Sequence, residues 1–221
     1  MLMVTQKMSL DHIARLRYRP EIDGLRALAV LSVIFLHAGV SVIPGGFTGV
    51  DIFYVISGFL ITKIIVASVQ RNQFSLSGFY ARRIKRILPA VFVMLLAVIV
   101  FGYFILTPDK YLNLAESAIY TSVFLANVWF AKTTGYFDEF TRISPLVHMW
   151  SLAVEEQFYL IFPVLLASMN FLWGSKGIRV SIIVLFVTSL LLSIFLTSRY
   201  PNFSFYLLPT RAWELSAGAL L

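Results

Sequence analysis

Apolar positions in this chain fall in long runs, not in alternation. The runs cover residues 25–40, 42–69, 88–106, 113–131, 152–172, 180–197 and 205–221. Most are near the roughly twenty residues an α-helix needs to cross the hydrocarbon of a bilayer, and the first and sixth are near the short limit. The polar-apolar alternation of an outer-membrane barrel strand is missing. Lipid offers no partner to an unpaired backbone group, so segments of this kind must satisfy their own hydrogen bonds. The pattern predicts an all-α, polytopic transmembrane helical bundle with about six or seven spanning helices. A polar N-terminal segment, 1–20, precedes one membrane domain over 21–221. The last residues, RAWELSAGALL, stop inside an apolar run, as expected of a piece of a larger membrane domain.

Composition agrees with the runs. Of the 221 residues, 59% are hydrophobic and 13% charged, with a mean hydropathy of +0.83. Such a chain cannot cover a wet surface as a soluble domain does. The basic start followed by an apolar run is similar to a secretory signal, but no small-residue cleavage site follows, so the first helix is expected to be retained. The absence of cysteine removes disulfides, thiolate nucleophiles and cysteine metal sites, and no metal is expected.

Charge then orients the bundle. Lys7, Arg15, Arg17, Arg19 and Arg26 precede the first helix, and Arg71, Arg82, Arg83, Lys85 and Arg86 lie between the second and third, while SVIPGGFTG carries no charge. The positive-inside rule places the N-terminus and the 70–87 loop in the cytoplasm. Simple alternation puts 132–146 inside and 173–179 outside. Yet the second loop carries Lys176 and Arg179, while Asp138 and Glu139 balance the first. Either a segment between 88 and 131 is re-entrant, or the short later loops escape the charge bias.

Within the apolar background a few ionisable residues stand out, because burying them in a membrane is costly. Arg26 and His37 are eleven residues apart, about three turns and 16 Å along one helix face. This places the arginine at the cytoplasmic boundary and the histidine deep in the membrane. A snorkelling anchor and a packing histidine would account for the same pair. In GGFTGVDIFYVISGFLIT, residues 45–62, Asp51, Tyr54 and Gly58 share a face, and a short loop brings Asp51 near the level of His37. A carboxylate there would fix the imidazole tautomer and favour a general base; a negative residue at a helix start is also simply favourable. FYARRIKRILP, residues 79–89, sets Arg82, Arg83 and Arg86 along one boundary face, an arrangement suited to phosphates or to anionic lipid headgroups. SPLVHMWSLAVEEQFYLIFP, residues 144–163, crowds His148, Glu155 and Glu156 at the entry of an apolar helix, with Tyr159 three residues after Glu156. Adjacent glutamates there are costly as packing devices. Arg211 and Glu214 form an i, i+3 pair.

In this order, the R-x10-H pair, GGFTGVDIFYVISGFLIT, FYARRIKRILP, SPLVHMWSLAVEEQFYLIFP and FYLLPTRAWELSAGALL make the chain resemble acyltransferase family 3, the bacterial integral-membrane O-acyltransferases, over about residues 20–221. The resemblance implies a bacterial inner-membrane, multi-pass protein with a cytoplasmic N-terminus, from a domain of about ten spanning helices. It also implies transfer of an acyl group, usually acetyl, from cytoplasmic acyl-CoA to a hydroxyl of an extracytoplasmic glycan such as lipopolysaccharide O-antigen, peptidoglycan or exopolysaccharide. No permanently bound cofactor is implied, and an SGNH-type domain often follows. His37 matches the family's membrane histidine, Arg26 its paired basic residue, and Arg83 with Arg86 its R-x-x-R, thought to hold CoA phosphates. On this reading His37, Asp51, Glu155 and Glu156 form the catalytic set. Arg26, Arg82, Arg83 and Arg86 hold the donor, and Tyr54, His148, Trp150, Arg211 and Glu214 face the acceptor. The rival is a proton-coupled transporter or flippase of a glycan-type substrate, in which His37, Asp51 and Glu155 relay protons; the lack of an inverted repeat counts against it. Nucleic acid is not an expected partner, since the basic residues lie beside the membrane.

Overall fold

A computed structural model describes residues 19–39, 45–133 and 144–221. Asp138, Glu139 and the basic residues before Arg19 lie outside the described residues. Every regular element among the described residues is helical: α1 (Pro20–His37), α2 (Thr48–Gln70), α3 (Leu76–Ile105), α4 (Pro108–Ser122), α5 (Ala126–Thr133), α6 (Met149–Thr197), α7 (Pro201–Tyr206) and α8 (Leu208–Leu220). Proline opens several of them. Pro20, Pro108, Pro201 and Pro209 sit in the first turn of α1, α4, α7 and α8, where a missing N–H costs nothing and the fixed φ is already helical. α3 is capped by the Ser75 hydroxyl, which accepts from the Gly78 N–H at 3.2 Å.

The helices fall into two compact units, 1–53 and 54–221. In the first, α1 crosses the start of α2 closely: a Cβ on Gly49 would strike the Ala29 carbonyl, and one on Gly46 the Ser32 carbonyl. Small residues permit that approach. In the second unit α6 is the hub, packing against α8, α7, α5, α4 and α3. α6 is a hairpin and not a rod. Gly174 adopts φ 60, ψ −154, and a Cβ on Gly177 would strike the carbonyl of Met169, eight residues back and about 12 Å away in a straight helix. The two arms, 149–173 and 175–197, correspond to the two apolar runs expected there, joined by a tight turn.

Among the described residues three helices are long and apolar enough to cross a membrane, α2, α3 and α6, with peak hydropathies of 2.1, 2.7 and 2.6. Their outer faces expose large apolar side chains such as Phe92, Leu96, Phe101, Ile183 and Leu191, a surface suited to lipid. α1 falls short of that criterion because its 18 residues include Glu21, Asp23 and Arg26.

Two apolar runs are not single helices. The expected span at 113–131 is divided into α4 and α5 at Val123–Leu125, because Phe124 takes a left-handed backbone, φ 55. At fifteen residues, α4 rises about 22 Å, short of the hydrocarbon thickness. The run still returns across α3. A Cβ on Gly102 would meet Leu114, Tyr103 and Tyr111 rings lie 5.8 Å apart, and Val123–Leu125 reach the cavity walled by Ile84–Leu88. The chain thus comes back to the Arg83 end of α3 as a broken helix. The run at 205–221 is likewise divided, at Leu207, whose extended backbone (φ −92, ψ 142) separates α7 from α8.

Candidate functional site

α6 sends its two glutamates to different surroundings, since neighbours on a helix point about 100° apart. Glu155 is 5% exposed and accepts a hydrogen bond from the Tyr159 hydroxyl at 2.6 Å. The partner of Tyr159 is thus Glu155, one turn back at i, i+4. Glu156 opens instead into a cavity of about 330 Å³ between α3, the α4–α5 break and the first arm of α6. Arg83 lines the same cavity, and its guanidinium lies 3.9 Å from the centre of the Tyr159 ring. Glu155, Tyr159 and Arg83 therefore form one connected set, with the phenol donating to the carboxylate and offering its face to the cation. The rest of the wall is apolar, from Phe79, Ile84, Ile87, Leu88, Val123 and Leu160. Tyr80, also on the wall, ties α3 to α6 through a hydroxyl donated to the Leu160 carbonyl at 2.7 Å. Arg82 and Arg86 are exposed on the same helix, so the arginine cluster runs from open surface to cavity.

A second cluster gathers residues far apart in sequence. The Arg211 guanidinium is ion-paired to Glu214 and lies 5.0, 5.5 and 6.0 Å from the ring centres of Phe205, Trp150 and Tyr54. Tyr54 donates its hydroxyl to the Ser151 carbonyl at 3.0 Å, which fixes α2 against the start of α6. Glu214 is 1% exposed. Of the residues expected to face an acceptor, Tyr54, Trp150, Arg211 and Glu214 are thus brought together, and His148 stays exposed at the N-cap of α6. Phe205 was missed, because an aromatic in an apolar run carries no signal of its own.

In the first unit, His37 is the last residue of α1 and is exposed. Its Nδ1 lies 2.8 Å from the Val33 carbonyl. A carbonyl only accepts, so Nδ1 is the donor in this contact. Asp51 is half-buried in the first turn of α2, and Arg26 lies over the Phe53 ring at 5.3 Å.

Chemically, the 54–221 unit offers a cationic entrance, an apolar channel and a carboxyl group inside it. Those are the parts needed to hold a polyanionic molecule with a long, weakly polar arm. Comparison with known proteins identifies relatives and a family. Peptidoglycan O-acetyltransferase OatA of Listeria monocytogenes is 41% identical over 212 residues, which is 93% of this chain and 34% of that protein. O-acetyltransferase OatA of Staphylococcus aureus is 40% identical over 177 residues, 79% of this chain and 28% of that protein. The chain thus spans about a third of the length of these relatives. No solved structure matches it. The model of the acyltransferase domain matches residues 19–221, and the chain belongs to acyltransferase family 3.

Proposed function

We propose that this chain is the membrane part of an O-acyltransferase that takes an acetyl group from cytoplasmic acyl-CoA and delivers it toward a hydroxyl of an extracytoplasmic glycan. Peptidoglycan is the favoured acceptor, because both relatives are O-acetyltransferases and one is named for peptidoglycan. That choice narrows the sequence expectation, which also allowed lipopolysaccharide. The observation that carries the donor assignment is the cavity shared by Arg83 and Glu156. Arg82, Arg83 and Arg86 hold the CoA phosphates at its entrance, where guanidinium groups bind phosphate bidentately. The pantetheine arm enters the apolar channel, a volume at the lower end of ordinary ligand sites of about 300–1,000 Å³. Glu156, inside, meets the arm's polar groups. A thioester is already activated, so positioning and one proton transfer are the main tasks left. His37 serves as base or acyl carrier. The Arg211–Glu214 cluster belongs to the acceptor side. The membrane is the bacterial inner membrane, with the N-terminus and the Arg83 end of α3 cytoplasmic, and in the full-length chain an SGNH-type domain follows.

The test supplies labelled acetyl-CoA to inside-out vesicles holding the full-length protein. Label should reach glycan, and Arg83→Ala/Arg86→Ala should weaken donor binding with normal abundance in the membrane. Export of a glycan-type substrate with no acyl transfer would replace this reading by the transporter.

A further inference from the structure

The wall of the donor cavity opposite α3 is made by the break between α4 and α5, an unusual piece of backbone. The Leu125 N–H donates to the Tyr120 carbonyl at 2.8 Å and the Phe124 N–H to the Thr121 carbonyl at 3.0 Å. This is the helix-ending pattern in which glycine commonly takes the left-handed position. Here that position is Phe124, at φ 55, a conformation a bulky residue keeps only when its surroundings enforce it. The enforcement comes from two amides. Gln157 Nε2 donates at 2.8 Å to the Phe124 carbonyl and at 2.8 Å to Asn127 Oδ1. Asn127 Nδ2 donates back to Gln157 Oε1 at 3.3 Å and to the Tyr206 carbonyl at 3.2 Å. Asn127 is 0% exposed. Without the pair, the Phe124 carbonyl would be left unsatisfied among apolar side chains. Val123, Phe124, Leu125 and Gln157 all line the cavity with Arg83 and Glu156.

We propose that Asn127 and Gln157 are positioning residues for the donor: by pinning the Phe124 carbonyl they set the wall of the channel that receives the pantetheine arm. This rests on the donor reading given above. It assigns the amide pair a role that the arginines do not share, since the arginines hold the nucleotide end and the pair governs only the arm.

The experiment compares two ligands on the full-length protein in lipid nanodiscs: acetyl-CoA, and adenosine 3′,5′-bisphosphate, which keeps two of the three CoA phosphates and has no arm. Gln157→Leu and Asn127→Leu should each weaken acetyl-CoA binding about tenfold or more, as lost preorganisation does, while the bisphosphate binds as before. The KM for acetyl-CoA should rise accordingly. The double variant should be little worse than either single one, because both break the same clamp. Should the leucine variants fail to fold, Asn127→Gln with Gln157→Asn keeps both amides, exchanges their lengths and is read by the same comparison. Unchanged acetyl-CoA affinity in folded variants, or equal loss of both ligands, would overturn the proposal. Binding of both ligands that ignores Arg83→Ala/Arg86→Ala would instead overturn the donor reading itself.

Discussion

His37 and the Arg211–Glu214 pair show how differently one kind of residue, an ionisable group in an apolar sequence, is settled. His37 Nδ1 donates to the Val33 carbonyl, and under the proposed function the imidazole is the base or acyl carrier. Replacing His37 with alanine should therefore lower acyl transfer by about 10²- to 10⁴-fold, the usual loss of a general base, with CoA binding retained. Near-normal transfer in His37→Gln would show a packing histidine instead. The second pair is neutralised within the protein. Glu214 is nearly inaccessible and Arg211 is surrounded by Phe205, Trp150 and Tyr54. Removing one partner strands a buried charge, so Arg211→Met should cost about 3–5 kcal/mol in detergent unfolding, and adding Glu214→Leu should recover much of it. A double variant as unstable as the single would show that the loss lies in packing. The i, i+3 spacing made this pair legible in the sequence. The choice of Tyr159 between two glutamates was not, because i, i+3 and i, i+4 neighbours are equally reachable on a helix and only the packing of α3 and α2 around the first arm of α6 decides it.

At the scale of elements, hydropathy located the apolar segments and missed where they break. α3 and the arms of α6 lie where the runs predicted them, since their length and outward apolar faces are local properties. The division at Phe124 depends on Gln157, thirty-three residues away, and no local pattern encodes it. Asn72, in the same left-handed conformation at φ 54, was readable as a turn after α2, because asparagine tolerates it. Helix pairing was partly legible. Gly58 stood out within the second run, and the structure shows its partner: a Cβ there would strike the Leu215 backbone, while one on Gly218 would strike the Val55 carbonyl. Each helix thus presents a glycine to the other's backbone, a close crossing stabilised by van der Waals packing. Gly58→Ala and Gly218→Ala should each destabilise the protein by about 1–3 kcal/mol through overpacking. Little change in thermal stability of the detergent-solubilised variants would show that α2 and α8 separate without cost.

For the whole molecule, the question left by the charges is which way the bundle faces. In the proposed orientation the Arg82–Arg86 end of α3 is cytoplasmic, as the positive-inside rule expects, and the structure connects other segments to that end. Val123–Leu125 and Glu156–Leu160 share the cavity with Arg83, so α4 returns to the level of Arg83 and the first arm of α6 begins near it. The turn at Gly174 then lies at the far end of that arm, about 20 Å beyond Tyr159, with Lys176 and Arg179 beside it, both exposed. The proposed orientation puts these two charges outside, against the bias, and the five before and within the start of α3 inside, with it. The chain has no cysteine, so single thiols report on sidedness without background from it. Lys176→Cys should react with a membrane-impermeant maleimide added outside intact spheroplasts, and Arg71→Cys only after the membrane is opened. The opposite labelling at Lys176→Cys would put the Gly174 turn in the cytoplasm. The cavity would then open toward the wrong side for a cytoplasmic thioester, or α4 and α5 would not carry the chain back across, and either result would require a different route for the donor.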